Sequence, residues 1–270
     1  MDDRPIGMFD SGFGGLTVAR AVIDLLPAEH LVYLGDTARY PYGARPADEV
    51  EAFSLEIGRH LVDSFDIKLL VVACNTATAV ALDTLRTELG IPVFGVIEPG
   101  VRALLQATAS GRVAVIGTVG TVRSGAYQEV LARFGPDAQV TVTACPGLVE
   151  FVERGTVEGP EITVLVERLL APVVEAKVDA MLLGCTHYPY LARVLSDAVG
   201  HGVVLVSSAD ETAFALAAAL DELDFARRPD AGPGTHRFIS SGDVRAFTTL
   251  GSQLLGPELV DAERWDPAGR

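Results

Sequence analysis

Short runs of β-branched and aliphatic residues alternate along this chain with longer amphipathic stretches. Runs at residues 6–9, 31–34, 69–73, 93–96, 113–116, 140–143, 180–183 and 203–206 are nearly all apolar. That is the pattern of strands buried on both faces. The segments between them, such as 16–26 and 50–65, carry apolar residues at helical spacing. The resulting β, α, β, α rhythm predicts an α/β fold in which helices wrap parallel sheets. Pro27, Gly35, Gly90, Pro92 and Gly111 punctuate the turns.

The eight runs fall into two sets of four. The first reads IGMFDSGFGG, LVYLGD, LLVVACNT and VFGVIEPG, and the second VAVIGTVGTV, VTVTACPG, AMLLGCTH and VVLVSSAD. Just past the strands stand Asp10, Asp36, Cys74 and Glu98 in the first set, and Thr118, Pro146, Cys185 and Asp210 in the second. These pairs lie 108, 110, 111 and 112 positions apart. So small a drift points to an internal repeat, and hence to two pseudo-symmetric parallel-sheet α/β domains in tandem. The expected division is 1–98 plus 209–270 for the first and 99–208 for the second, with the crossings near Pro99 and Ser208. A helix over 209–220, then a strand and a helix within 236–255, have no counterpart and are expected to return to the first domain. The stretch 227–234, with two Pro and two Gly, reads as a flexible connection.

In open α/β sheets, ligands bind beyond the carboxyl ends of the strands. Two such sheets facing each other put Cys74 and Cys185 on opposite walls of one cleft. Each thiol precedes polar residues that read as a helix start, Asn75-Thr76 and Thr186-His187, where the positive end of the helix lowers a cysteine pKa. Cys145, before Pro146, reads as a small buried hydrophobe. A Cys-His hydrolase would use Cys185 and His187 but leave Cys74 unexplained. A thiol redox pair would need the sulfurs close together, which opposite walls oppose. A racemase needs an acid on one face of a carbon and a base on the other, and two thiols exchanging those roles match the duplication.

Composition narrows the field further. With 21 Lys plus Arg against 36 Asp plus Glu, the net charge is −15, and no nucleic-acid partner is expected. An anionic substrate would therefore rely on helix N-termini and hydroxyls. No apolar run approaches the ~20 residues of a membrane span, and MDDRPIGMF is not a secretory leader, so a cytoplasmic protein is expected. Three cysteines without metal or redox spacing argue against a disulfide framework or a metal site. Lys68 and Lys177, the only lysines, precede strands at the amino edge of the sheets, which disfavours a pyridoxal phosphate Schiff base. In DSGFGG, Thr17 replaces the last glycine of a dinucleotide loop. A tight turn offering N–H groups to a carboxylate suffices.

The segments FDSGFGGLTV, GDTARYPYG, ACNTAT, VIEPG, IGTVGTV, LVEFVERG and GCTHYP together resemble the glutamate racemases, within the cofactor-independent aspartate/glutamate racemase family. The resemblance implies interconversion of L- and D-glutamate without cofactor, supplying D-glutamate for peptidoglycan. It implies that Cys74 and Cys185 are the two proton carriers, Cys74 serving D-glutamate and Cys185 L-glutamate, assisted by Asp10, His187 and Glu150. The substrate contacts it implies are Asp10, Ser11, Tyr42, Gly43, Asn75, Thr76, Thr186 and His187, with Thr118 and Thr121 as further hydroxyls near the ligand. A homodimer is compatible with the resemblance. Domain closure about the crossings is expected to exclude water.

Overall fold

The structure is a computed structural model and describes residues 1–267. Residues 268–270, the end of the span assigned by sequence to the first domain, lie outside the described residues. The chain begins β1 (Ile6–Asp10), α1 (Leu16–Leu25), β2 (Leu31–Gly35), α2 (Ala47–Phe65), β3 (Leu69–Val72), α3 (Asn75–Glu88), β4 (Val93–Gly95) and α4 (Ile97–Ala107). It continues β5 (Arg112–Gly117), α5 (Val119–Ser124), α6 (Ala126–Phe134), β6 (Gln139–Ala144), α7 (Leu148–Glu153), α8 (Pro160–Glu175), β7 (Ala180–Gly184), α9 (Ala192–Val199) and β8 (Val204–Ser207). It ends α10 (Ser208–Glu222), β9 (His236–Ser240), α11 (Val244–Leu255) and β10 (Glu263–Arg264).

These strands form two sheets, ordered β10-β9-β2-β1-β3-β4 and β6-β5-β7-β8. Every pairing is parallel. The order β2-β1-β3-β4 recurs as β6-β5-β7-β8, so the repeat in sequence is a repeat in topology. It makes β3 the counterpart of β7. Because side chains alternate along a strand, each sheet feeds two cores. Ile6, Met8, Leu69 and Val71 face the layer that holds Leu16, Val22 and Leu216, whereas Phe9, Leu70 and Val72 face the layer of Ile57, Leu61 and Leu85. In the second sheet Val113, Val115 and Leu182 pack with Val101, Leu104 and Leu131. Ala114, Ile116 and Leu183 pack with Val152, Val166 and Leu195.

The two crossings exchange helices between the sheets. Following β4 of the first sheet, α4 buries Val101 and Leu104 against the second, and following β8 of the second, α10 buries Ala213 and Leu216 against the first. They meet at Gly100, where an added Cβ would stand 3.0 Å from Ser208 Cβ.

The segment 227–234, expected from its Pro and Gly content to be a flexible connection, is fastened instead. The Glu29 carboxylate accepts from the Arg227 backbone N–H at 2.7 Å, the Arg227 guanidinium donates to the carbonyls of Ala28 and Gly232, and Gly234 N–H donates to Pro27. One arginine supplies enough donors to offset the turn's weak local preference. At the same amino edge Lys68 is fully buried, its Nζ donating to Glu29, to Asp2 O at 3.0 Å and to Phe225 O at 2.9 Å.

Candidate active site

One wall of the cleft grows from β3. Its last residues lead to Cys74, which caps α3, and the sulfur accepts from Ala77 N–H at 3.4 Å. The thiol stands 3.7 Å from Ser11 Oγ, in the turn after β1. The helix start was expected to lower this pKa, and the structure reverses that. Burial, reinforced by the negative charge of Asp10, pushes the Cys74 thiol up to about 12, outweighing Ala77 N–H and Ser11. At neutral pH this thiol is protonated.

The facing wall grows from β7, whose end delivers Cys185. No α-helix starts at 185–187, contrary to the sequence expectation. Tyr188 N–H closes a four-residue turn on Cys185 O at 3.0 Å, and a 3-10 turn, Tyr188–Leu191, follows. An α-helical bond to Cys185 O would need an N–H on Pro189, which has none. The tighter turn places His187 Nδ1 3.8 Å from Cys185 Sγ. His187 Nε2 lies 3.2 Å from Glu153 Oε1. Burial alone would lower the histidine pKa, but Cys185, Glu153 and then Asp10 together push it up to about 10. The ring is therefore an imidazolium that donates to the sulfur and to the carboxylate.

Asp10 is fully buried and serves both walls. Its Oδ2 accepts from Gly15 N–H at 2.9 Å and Gly12 N–H at 3.3 Å, which shapes the glycine turn, while Oδ1 has no partner. Two glycines, Gly14 and Gly43, allow the halves to close this tightly. A Cβ on Gly14 would stand 2.2 Å from Thr186 Oγ1 and 2.5 Å from His187 Nδ1. One on Gly43 would meet Thr118 Cβ at 2.6 Å, and within the first half one on Gly12 would press the Tyr40 ring at 3.0 Å.

Between the walls is a cavity, with about 590 Å³ of unfilled space when its open mouth is included. Of the residues singled out by sequence, Ser11, Tyr42, Gly43, Cys74, Asn75, Thr76, Thr118, Glu150, Cys185, Thr186 and His187 line it. Asp10 and Thr121 do not. Thr121 lies behind the wall, its hydroxyl 3.1 Å from that of Thr76 and 2.9 Å from that of Thr118, and the last two are 3.0 Å apart. Tyr42 is held from beneath, its hydroxyl donating to Asp36. No lysine or arginine is among the lining residues; the donors are the His187 ring, hydroxyls, amides and the starts of α3 and α5.

Glu150, expected as a further acidic residue of the site, is an exposed lining residue of the cavity, and the carboxylate bonded to His187 is a second one, Glu153, one turn further along α7. Cys145, read as an inert hydrophobe, is in the cavity wall, where burial and then the charge of Cys185 push its thiol up to about 12. Tyr40, Pro146 and Val149 also line the cavity unforeseen. Among the described residues no group of three His, Cys, Asp or Glu side chains is arranged to hold a metal ion.

Thiols at equivalent strand ends of two duplicated sheets, facing one cavity, form a two-domain α/β site of the racemase class. The family model for Asp/Glu/Hydantoin racemase matches residues 7–216, and the chain belongs to that family. A glutamate racemase of Parafrankia sp. (strain EAN1pec) is 49% identical over 260 residues, which cover 96% of this chain and 94% of that protein. Among solved structures, a glutamate racemase isoform from Bacillus anthracis superposes with a TM-score of 0.91 at 38% identity, covering 98% of each chain. The glutamate racemase from Francisella tularensis in complex with D-glutamate gives 0.88 at 29% identity, over 98% of this chain and 97% of that one.

Proposed function

We propose that this chain interconverts L- and D-glutamate by a two-thiol proton transfer that uses no cofactor. The observation that carries the reading is that Cys74 and Cys185, from the equivalent strands β3 and β7, line one cavity. Their environments are unlike. Cys74 is held as a thiol, while Cys185 faces the imidazolium of His187.

In the L to D direction the Cys185 thiolate takes the α-proton, breaking the Cα–H bond and leaving a carbanion whose charge spreads into the α-carboxylate. Cys74 S–H then delivers its proton to the opposite face. The products are D-glutamate, a Cys74 thiolate and a Cys185 thiol, ready for the reverse reaction. The intrinsic barrier is high because the carbanion lies beside an ionised carboxylate. Preorganised donors lower it, and Ser11, Thr76, Thr186 and the N–H groups opening α3 suit that task.

The Francisella relative binds D-glutamate, which supports an amino-acid dicarboxylate as substrate here. Exclusion of water during the reaction and release afterwards call for the two units, 1–98 plus 209–270 and 99–208, to close and part about hinges near Pro99 and Ser208. The D-glutamate product fits a role in peptidoglycan synthesis in the cytoplasm. A second reading has one specific observation behind it: Cys185, His187 and Glu153 form a nucleophile-base-acid chain of the kind used in hydrolysis. That reading leaves Cys74 without work.

The test is proton NMR of the α-hydrogen of each enantiomer in D2O, with circular dichroism alongside and aspartate as control. Racemisation with deuterium incorporation, abolished by both Cys74→Ala and Cys185→Ala, is expected. A folded protein that exchanges neither enantiomer overturns the reading, and activity surviving in Cys74→Ala favours the single-thiol alternative.

A further inference from the structure

Tyr127 is fully buried on α6, is not among the residues lining the cavity, and yet touches the neighbours of both thiols. The break that makes this possible is Gly125, at φ +77°, which ends α5 and starts α6, so that Tyr127 lies in the first turn of the new helix. Its hydroxyl accepts from Asn75 Nδ2 at 2.7 Å, reaching from the second unit to the residue directly after Cys74. Its ring lies under Gly184, the residue directly before Cys185, where an added Cβ would meet ring carbons at 3.0 and 3.2 Å. Asn75 lines the cavity, is 2% exposed, and its Oδ1 has no partner. With one end of the amide tied to the phenol, the other is left as a buried acceptor in the cavity wall. A buried acceptor without a partner is unfavourable by itself, and a donor group of the substrate relieves it.

We propose that Tyr127 is a positioning residue for racemisation, fixing the Asn75 amide through its hydroxyl so that Oδ1 is presented to the substrate. The inference rests on the proposed racemase function. It assigns work to a residue that touches no substrate and that no sequence motif marks.

Tyr127→Phe keeps the ring against Gly184 and removes only the hydroxyl. The expected result is a KM for both enantiomers raised about 5- to 20-fold, with kcat within about threefold of wild type and little change in thermal midpoint. In an Asn75→Ala background the same substitution is expected to change KM no further, because the relay has already been cut. An unchanged KM accompanied by a lower thermal midpoint would make Tyr127 a packing residue and overturn the proposal. Additive effects with Asn75→Ala would do the same. Wild-type enzyme assayed in parallel separates the two failures. If it racemises glutamate while Tyr127→Phe is kinetically normal, only this inference falls. If wild type racemises nothing, the functional reading falls and takes this inference with it.

Discussion

A buried His187 and a half-buried Glu153 form a pair, Nε2 to Oε1 at 3.2 Å, on the wall of the cavity that carries Cys185. The ring's other nitrogen faces the Cys185 sulfur. The carboxylate thus sits at the far end of a three-membered chain and touches the Cys185 thiol only through histidine. Under the proposed two-thiol reaction Glu153 is a positioning residue for Cys185, and the two walls differ there, since Cys74 has a serine and a backbone N–H in place of an imidazolium.

Glu153→Gln is expected to reduce kcat in the L to D direction about 10- to 100-fold, with Glu150→Gln close to wild type. The pH profile is the more searching readout. His187 is pushed up to about 10 from an ordinary value near 6.5. The stabilisation from its bonds to Cys185 and Glu153 is therefore fully present below about pH 6.5 and lost as pH rises through about 10. Activity that depends on the imidazolium fades along the same limb. Removing the Glu153 charge weakens one cause of the upward shift, so the alkaline fall in kcat/KM should move to lower pH. A profile unmoved in Glu153→Gln would detach this carboxylate from Cys185 chemistry.

Gly14→Ala tests the closed contact between the halves. The new Cβ would overlap Thr186 Oγ1 and His187 Nδ1, at 2.2 and 2.5 Å. The protein is expected to fold, because the neighbouring turn bonds to Asp10 use the backbone of Gly12 and Gly15. Displacing the imidazole by an ångström should lower kcat/KM by about 100-fold. Normal kinetics in a variant with a native circular dichroism spectrum would refute the tight approach of the glycine turn to the Cys185 wall.

The pattern of the sequence exposes the scaffold and the thiols for the same reason. Strands buried on both faces leave uninterrupted apolar runs, and the first polar residue after each run marks the edge where a ligand sits. Cys74 and Cys185 are visible because they stand at such edges in both repeats. Glu153 is not, because Glu150 and Glu153 are one turn apart on the same short helix and only its docking decides which faces His187. The 3-10 turn after Cys185 was readable from Pro189, whose missing N–H forbids the helix that the Thr186-His187 pair suggests. The fastening of 227–234 depends on Glu29 and on carbonyls nearly two hundred residues away, so no local signal carries it.

Lys68→Met separates stability from function. The ammonium is fully buried against Glu29 at the amino edge of the first sheet, while the cavity opens at the carboxyl edge. Deleting one member of a buried ion pair strands the other charge, at a cost of about 3–5 kcal/mol. The urea midpoint is expected to fall accordingly, with kcat/KM per folded molecule unchanged. A midpoint within error of wild type would mean that Glu29 finds another cation, and Arg227, whose backbone N–H already donates to it, is the nearest candidate.

The tail after Arg227 reaches the substrate cavity through Asp36. This carboxylate, fully buried beyond β2, accepts from Ser241 Oγ at 2.6 Å, from Arg39 Nε at 2.7 Å and from the Tyr42 hydroxyl. Ser241 follows β9, so the returning strand, the 36–39 turn and the Tyr42 loop are joined at one side chain. Tyr42 and Gly43 line the cavity, and the approach of Gly43 to Thr118 depends on where that loop rests. Ser241→Ala removes a single donor and leaves Asp36 with two, so a rise in KM of about two- to fivefold at near-normal kcat is expected. Asp36→Asn removes the charge that holds Arg39 as well, and a larger rise, about tenfold or more, should accompany a loss of thermal stability. If KM is indifferent to both, the tail completes the first sheet and has no hold on the substrate loop.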